Sequence, residues 1–61
     1  MPMSGKEVVR LLLAHGWQLD RISGSHYVMA KGNQTIVVPV HGNQDMKPGL
    51  LNAILKQAGL K

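Results

Sequence analysis

One short stretch, Gly24-Ser25-His26-Tyr27, holds the side chain best suited to chemistry in this sequence. It places a single imidazole where a turn gives way to a predicted strand. Imidazole side chains exchange protons near neutral pH, so a histidine can act as a general acid or a general base. RNA carries its own nucleophile, the 2′-hydroxyl beside each phosphate. A basic surface and one well-placed imidazole would therefore suffice for slow strand scission without a metal ion.

The two residues before His26 suit contact with a phosphate. Gly24 allows the backbone to approach a ligand closely, and the N–H groups of Gly24 and Ser25 could face a phosphate oxygen. The simpler interpretation is that Gly24-Ser25 is a turn and that His26 is a solvated residue at the edge of a strand. Taken alone, the stretch favours this simpler interpretation.

Metal sites and serine nucleophiles are disfavoured. The histidines are far apart, no pair has the i,i+4 spacing of a helical metal motif, and no acidic residue or cysteine accompanies them in a ligand pattern: His15, His26 and His41. Ser25 and His26 would point to opposite faces of a strand, so they do not suit a nucleophile and its base. His15 falls in the last turn of a predicted helix, where its side chain suits the negative helix end. We therefore predict no metal and no cofactor.

The composition describes one small basic domain, residues 1–61, with a formal net charge of +4 at pH 7 and a pI close to 10.0. A domain of this size buries only about 60% of its unfolded surface, and without cysteine it has no disulfide to add stability. The positive charge favours a polyanionic partner, nucleic acid first, although surplus lysines also serve solubility. No apolar run is long enough to span a membrane and no signal peptide is recognisable, so we expect a cytoplasmic protein.

The first helix is predicted from Gly5 to His15. Ser4 is a suitable N-cap and Glu7 follows three residues later, which is the pattern of a capping box. Gly16 ends the helix, since glycine readily takes the left-handed conformation found at helix ends, and Trp17 can fold back onto the helix.

Three antiparallel strands are predicted next, from Trp17 to Ile22, from His26 to Lys31 and from Thr35 to Val40. Simple alternation divides the first strand into two sets: Trp17, Leu19 and Arg21 on one face, and Gln18, Asp20 and Ile22 on the other.

The second and third strands are predicted to form a hairpin. Gly32-Asn33 fits a two-residue type II′ loop, which needs glycine first. That loop pairs Lys31 with Gln34 and, further along, His26 with Pro39. Pro39 lacks the N–H that a central strand needs, so the third strand lies at an edge. Both faces of the hairpin are apolar, and the sequence leaves open which one the helices cover.

A second helix is predicted to close the chain. Pro48 suits its first turn and Gly59 its end. Between them an apolar stripe has helical spacing: Leu50, Leu51, Ile54, Leu55 and Ala58. The resulting order, α-β-β-β-α, indicates a two-layer α+β fold in which both helices pack on one face of a three-stranded antiparallel sheet.

In order and at this total length, these features resemble the HicA family, the small toxins of HicAB toxin–antitoxin modules. The likeness covers nearly the whole chain, and each piece is only weakly specific by itself. The pieces are Ser4-Gly5-Lys6-Glu7-Val8-Val9 running to Gly16-Trp17, then Gly24-Ser25-His26, a Gly-Asn turn, Ile36-Val37-Val38-Pro39-Val40-His41, and Leu50 to Leu60.

The resemblance implies a fold like the double-stranded-RNA-binding domain and the activity of an mRNA interferase, a ribosome-independent endoribonuclease. It also implies a HicB-type antitoxin that covers the active site. The family's catalytic histidine falls on His26, and many members have a second histidine or a basic residue where this chain has Tyr27. His41 matches a position that is often histidine in the family, and no catalytic role is carried over to it. We expect a monomer on its own and a hetero-oligomer with the antitoxin.

Three functions are therefore weighed. In the first, the chain is an endoribonuclease in which His26 is the general base toward a 2′-hydroxyl or the general acid toward the leaving 5′-oxygen. The candidate RNA contacts are Gly24, Ser25, Lys6, Lys31 and Lys47. In the second, it is a non-catalytic module that binds double-stranded RNA by shape. In the third, it is a protein-interaction domain. RNA cleavage distinguishes the first from the others.

Overall fold

The computed structural model describes residues 2–61 and has the predicted element order. Helix α1 spans Gly5–Ala14, strands β1, β2 and β3 span Gln18–Ser23, His26–Lys31 and Gln34–Pro39, and helix α2 spans Pro48–Gln57. The strands form one antiparallel sheet in the order β1-β2-β3. The predicted α+β class and the edge position of the third strand are confirmed, and the bounds of α1, β1 and β3 shift by a single residue. No helix within residues 2–61 is long and apolar enough to cross a membrane.

Both ends of α1 are fixed by the predicted local signals. The backbone N–H of Glu7 donates to Ser4 Oγ at 3.2 Å, and the N–H of Ser4 donates to the Glu7 carboxylate at 2.9 Å. At the other end Gly16 has φ 90°, and the N–H of Trp17 donates to the carbonyl oxygen of Leu12 at 3.0 Å. This is a Schellman arrangement, and it turns Trp17 back onto the helix, where it is 2% exposed.

Both helices pack on one face of the sheet. The core joins them to the face of β2 and β3 that carries Met29, Ile36 and Val38. Met29 and Val38 are fully buried there. The remaining members of the core come from the helices and loops: Val8, Val9, Leu12, Trp17, Val40, Met46, Leu51 and Ile54. We call the other side of the sheet the open face; it carries Gln18, Arg21, Ser23, His26, Val28, Ala30, Thr35, Val37 and Pro39.

The hairpin of β2 and β3 has the predicted register. Lys31 pairs with Gln34 beside the loop, and His26 pairs with Pro39 at the other end. The loop Gly32-Asn33 has a positive φ at its glycine only, 59°, as a type II′ turn requires.

The predicted faces of β1 are wrong, because this strand contains a bulge. Its register against β2 shifts between Leu19 and Arg21, so Asp20 is an extra residue. Leu19 and Ile22 both pair with residues of β2 that face the helices, whereas Arg21 pairs with Val28 on the open face. A bulge inserts one residue into one strand only, and strict alternation cannot represent it.

The segments before the two helices lie side by side. The N–H of Met46 donates to the carbonyl oxygen of Met3 at 2.8 Å, and Ser4 forms an isolated bridge with Asp45. The start of α1 is thereby joined to the approach to α2, next to the end of β3.

Candidate active site

His26 is the first residue of the central strand β2, directly after the loop that joins β1 to β2. It is exposed on the open face, with Ser23 of β1 on one side and Pro39 of β3 on the other. Among the side-chain hydrogen bonds found over residues 2–61, none involves the His26 imidazole. The sheet therefore fixes the backbone of His26 from both sides and leaves its ring free to meet a substrate.

The loop Gly24-Ser25 is open toward solvent. Gly24 has φ 59°, and a Cβ added there would meet no atom within 4 Å. Glycine is therefore required by the turn and not by crowding. The space in front of Gly24 is compatible with the predicted approach of a phosphate to this loop, which stays a prediction.

Lys47 and Lys6 lie toward the His26 end of the sheet. Lys47 is the N-cap residue of α2 and lines a cavity of about 290 Å³ that also includes Pro39, the cross-strand partner of His26. Lys6 is exposed and follows Gly5, whose backbone lies against Pro39. Two of the three predicted lysines are thus attached to elements that meet near the candidate site.

Lys31, in contrast, lies at the far end of β2. Its Nζ donates to the carbonyl oxygen of His15 at 2.9 Å, at the C-terminal end of α1. Five positions of extended strand separate it from His26, about 17 Å, and an odd spacing points the two side chains to opposite faces. The structure does not bring Lys31 and His26 together.

Arg21 is a cation on the open face that was not among the predicted site residues. It lies two pairs along the sheet from the Ser23–His26 pair, on the same face, and its guanidinium forms an exposed ion pair with Asp20 at 3.2 Å. The sequence signal that could have identified Arg21 is the loop after β1. Interpreted as a two-residue hairpin loop, Gly24-Ser25 pairs Ser23 with His26 and places Arg21 on the same face.

One cavity includes Pro39, the cross-strand partner of His26, among its lining residues. Its walls come from the end of β3, the following loop and the start of α2, with a mixture of polar, charged and apolar side chains: Pro39, His41, Gln44, Asp45, Met46, Lys47 and Leu50. A larger cavity of about 510 Å³ lies between the N-terminal segment and α2 and includes none of the predicted site residues. Within residues 2–61 no three His, Cys, Asp or Glu side chains come together as a possible metal site.

Comparison with known proteins gives two findings. A family model described as the HicA toxin of bacterial toxin–antitoxin systems matches residues 5–60. A protein of Pseudomonas fluorescens (strain Pf0-1) described as a probable mRNA interferase HicA is 37% identical over 59 residues, which is 97% of this chain and 98% of that protein. The match therefore extends over the whole arrangement of helices and strands described above.

Proposed function

Because this chain belongs to the HicA family of bacterial toxins, we propose that it is an endoribonuclease that cleaves mRNA independently of the ribosome. His26 is its catalytic residue. The observation that carries this proposal is the position of His26. It is exposed on the open face and held by strands on both sides, and its partner Pro39 lines a cavity together with Lys47. The similar protein of Pseudomonas fluorescens bears the description of an mRNA interferase, which supports the same activity.

The reaction needs only groups that the RNA and the open face supply. The 2′-oxygen bonds to phosphorus as the bond from phosphorus to the 5′-oxygen breaks, leaving a 2′,3′-cyclic phosphate and a 5′-hydroxyl. His26 takes the proton from the 2′-hydroxyl or gives one to the 5′-oxygen. Positive charge near the phosphate stabilises the charge that develops on its oxygens. Its proposed sources are Arg21, which shares the open face with His26, and Lys47, which lines a cavity together with Pro39, the partner of His26. This mechanism uses no metal ion.

RNA binding is proposed to run along the basic surface around the site. Gly24 and Ser25 present backbone N–H groups to a phosphate, and Lys6 and Lys47 contact neighbouring phosphates. Lys31 would contact a more distant part of the RNA backbone, because it lies at the other end of β2. Contacts of this kind make the affinity strongly dependent on salt.

A HicB-type antitoxin is proposed to inhibit the toxin by covering the open face around His26. Val37 lies on this face, is 51% exposed and pairs with Val28, so a protein partner can bury apolar surface beside the imidazole. The toxin would be a monomer alone and a hetero-oligomer with its antitoxin, and it would act in the cytoplasm, where its mRNA substrate is found. An antitoxin that inhibits cleavage while leaving Val37 accessible to solvent would contradict this arrangement.

The test compares the wild type with His26→Ala and His15→Ala. Both histidines are exposed, and His15 lies at the other end of the sheet, near Lys31, so it is a matched control. We expect all three proteins to fold, His15→Ala to cleave RNA normally, and His26→Ala to be slower by about 10²- to 10⁴-fold, as for loss of a general acid or base. Full activity of His26→Ala would overturn the assignment.

The products and substrates test the mechanism separately. Attack by the 2′-hydroxyl predicts products that end in a cyclic phosphate or a 3′-phosphate, and it predicts that DNA is not cut. Products with a 3′-hydroxyl would contradict it. If the wild type binds RNA with strong salt dependence but does not cut it, the chain is a non-catalytic RNA-binding module; if it has no affinity for RNA, the protein-interaction alternative is favoured.

A further inference from the structure

A second exposed imidazole, that of His41, lies at the same end of the sheet as His26. The N–H of Val40 donates to the carbonyl oxygen of Ser25 at 2.7 Å, so the pairing of β2 with the third strand continues one position beyond His26 and Pro39. Val40 belongs to the core and is 7% exposed. Alternation then directs the next residue, His41, toward the open face.

β3 ends at Pro39, and continuing its register through the bond from Val40 to Ser25 sets His41 diagonally across from His26. His26 is opposite Pro39, and His41 is two residues further along the same chain segment. Diagonal positions of this kind are about 7–8 Å apart in an antiparallel pair, within reach of long and aromatic side chains. Two imidazole rings placed so can stand on either side of one phosphate group.

The surroundings of His41 suit an RNA strand that passes His26. His41 and Pro39 line the same cavity, which also contains Lys47. Among the side-chain hydrogen bonds found over residues 2–61, the one imidazole that takes part is that of His15, whose Nδ1 is 3.0 Å from the carbonyl oxygen of Leu11. The imidazoles of His41 and His26 therefore take part in none of the side-chain hydrogen bonds found over residues 2–61.

Cleavage by a 2′-hydroxyl requires two proton transfers, and a single histidine accounts for one. We propose that His26 and His41 divide them. One neutral imidazole accepts the proton of the 2′-hydroxyl as the bond from the 2′-oxygen to phosphorus forms. The other, protonated, gives its proton to the 5′-oxygen as the bond from that oxygen to phosphorus breaks. One ring takes up a proton and the other releases one. Proton exchange with water then returns both imidazoles to their starting protonation states. The proposal rests on the proposed function and names the second catalytic residue of that site.

A sulfur substitution in the substrate separates the two roles. The substrate is an RNA oligonucleotide that the wild type cleaves at one mapped linkage, made once normally and once with the bridging 5′-oxygen of that linkage replaced by sulfur. A thiolate leaves without being protonated, so the sulfur linkage removes the need for a general acid and keeps the need for a base.

Three single variants are compared on both substrates: His26→Ala, His41→Ala and His15→Ala. On the normal linkage we expect His26→Ala and His41→Ala each to be slower by about 10²- to 10⁴-fold, and His15→Ala to match the wild type. On the sulfur linkage one of the two slow variants, and only one, recovers a rate close to that of the wild type. Unfolding curves followed through Trp17 fluorescence check that every variant is folded.

Several results would overturn the proposal. A His41→Ala variant that cuts the normal linkage as fast as the wild type would overturn it, and so would a sulfur linkage that rescues both slow variants or neither. A His41→Ala variant that changes only KM, equally on both substrates, would show a binding role in place of proton transfer. If the wild type does not cut RNA at all, the proposed function fails by itself, which is a separate observation.

Discussion

The backbone of Gly5 lies directly against Pro39. A Cβ added to Gly5 would overlap the carbonyl oxygen of Pro39 and stand 3.0 Å from the Cα of Val40. The first residue of α1 thus docks onto the end of β3 through an approach that only glycine permits. Since Pro39 is the cross-strand partner of His26, this contact fixes the end of the sheet where the candidate site lies.

Replacing Gly5 by alanine should therefore destabilise the protein. We expect Gly5→Ala to lower the free energy of unfolding by about 1–3 kcal/mol, as for other overpacked sites. Gly49→Ala is the matched control. A Cβ there meets nothing within 4 Å, and removing a helical glycine should raise stability by about 0.4–1 kcal/mol. Urea unfolding followed through the fluorescence of Trp17 measures both; a Gly5→Ala variant as stable as the wild type would contradict the described contact.

The capping box of α1 should make stability depend on pH in the acid range. Hydrogen bonds from the backbone and then the side chain of Ser4 hold the pKa of Glu7 below its ordinary value of 4.5, with a smaller contribution from the charge of Arg10. A lowered pKa in the folded state means that the stabilisation is fully present above pH 4.5 and is lost as the pH falls through the folded-state pKa.

Glu7→Gln tests this dependence, because glutamine keeps the hydrogen-bonding geometry of the box and does not titrate. Unfolding free energies measured from about pH 7 down to about pH 3 should fall less steeply for Glu7→Gln than for the wild type. Ser4→Ala should be less stable by about 0.5–2 kcal/mol near neutral pH, as for the loss of other N-caps. Identical pH profiles for Glu7→Gln and the wild type would show that the box does not contribute in this way.

The two faces of β3 should respond differently to the same substitution. Val38 is fully buried beneath the helices and Val37 is 51% exposed on the open face. Val38→Ala removes two buried methyl groups and leaves a cavity, so we expect the free energy of unfolding to fall by about 2–3 kcal/mol. Val37→Ala should cost about 1 kcal/mol or less, within the range of strand propensity. Equal losses in thermal or urea unfolding would mean that the helices do not cover the face described.

Lys47 and Lys31 should affect RNA cleavage in different ways. Lys47 lines the cavity beside Pro39, so Lys47→Ala should lower kcat as well as affinity. Lys31 contacts the end of α1, and Lys31→Ala should weaken RNA binding while leaving kcat close to that of the wild type. If each lysine neutralises one phosphate, each variant reduces the slope of log affinity against log salt by about 1. A loss of kcat in Lys31→Ala as large as that in Lys47→Ala would contradict the placement of the substrate.

Local rules predicted the elements whose signals lie within a few residues of one another. Ser4 and Glu7 define the start of α1, and the Gly32-Asn33 loop fixes the register of β2 and β3, because each is a short-range arrangement. The faces of β1 could not be predicted by alternation, since the bulge at Asp20 depends on how the strand meets β2. The sequence could not predict which face of the sheet the helices cover, for another reason. Val28 and Met29 lie on opposite faces and are both apolar, so only packing against the helices distinguishes the two faces.

The position of His26 at the start of a strand was predicted from the turn before it. The sequence could not predict which residues lie near His26 in space, because those residues are distant along the chain. Lys47, after the loop that follows β3, lines a cavity with Pro39, the partner of His26, whereas Lys31, much nearer in sequence, lies at the other end of β2. Charge and residue type can nominate a lysine as a phosphate contact, but the fold decides which lysine the substrate can reach.

The order in which the molecule assembles follows from its short turns. Each strand pairing is closed by a two-residue loop, and short loops cost little entropy to close, so the sheet should form early during refolding. The hydrogen bond between Met3 and Met46 and the contact of Gly5 with Pro39 join residues more than 30 positions apart in the sequence and should form last. RNA cleavage should then recover after the Trp17 signal in a stopped-flow refolding experiment. A toxin built this way reaches its active form only after the segment around residues 39–46 has docked against the start of α1.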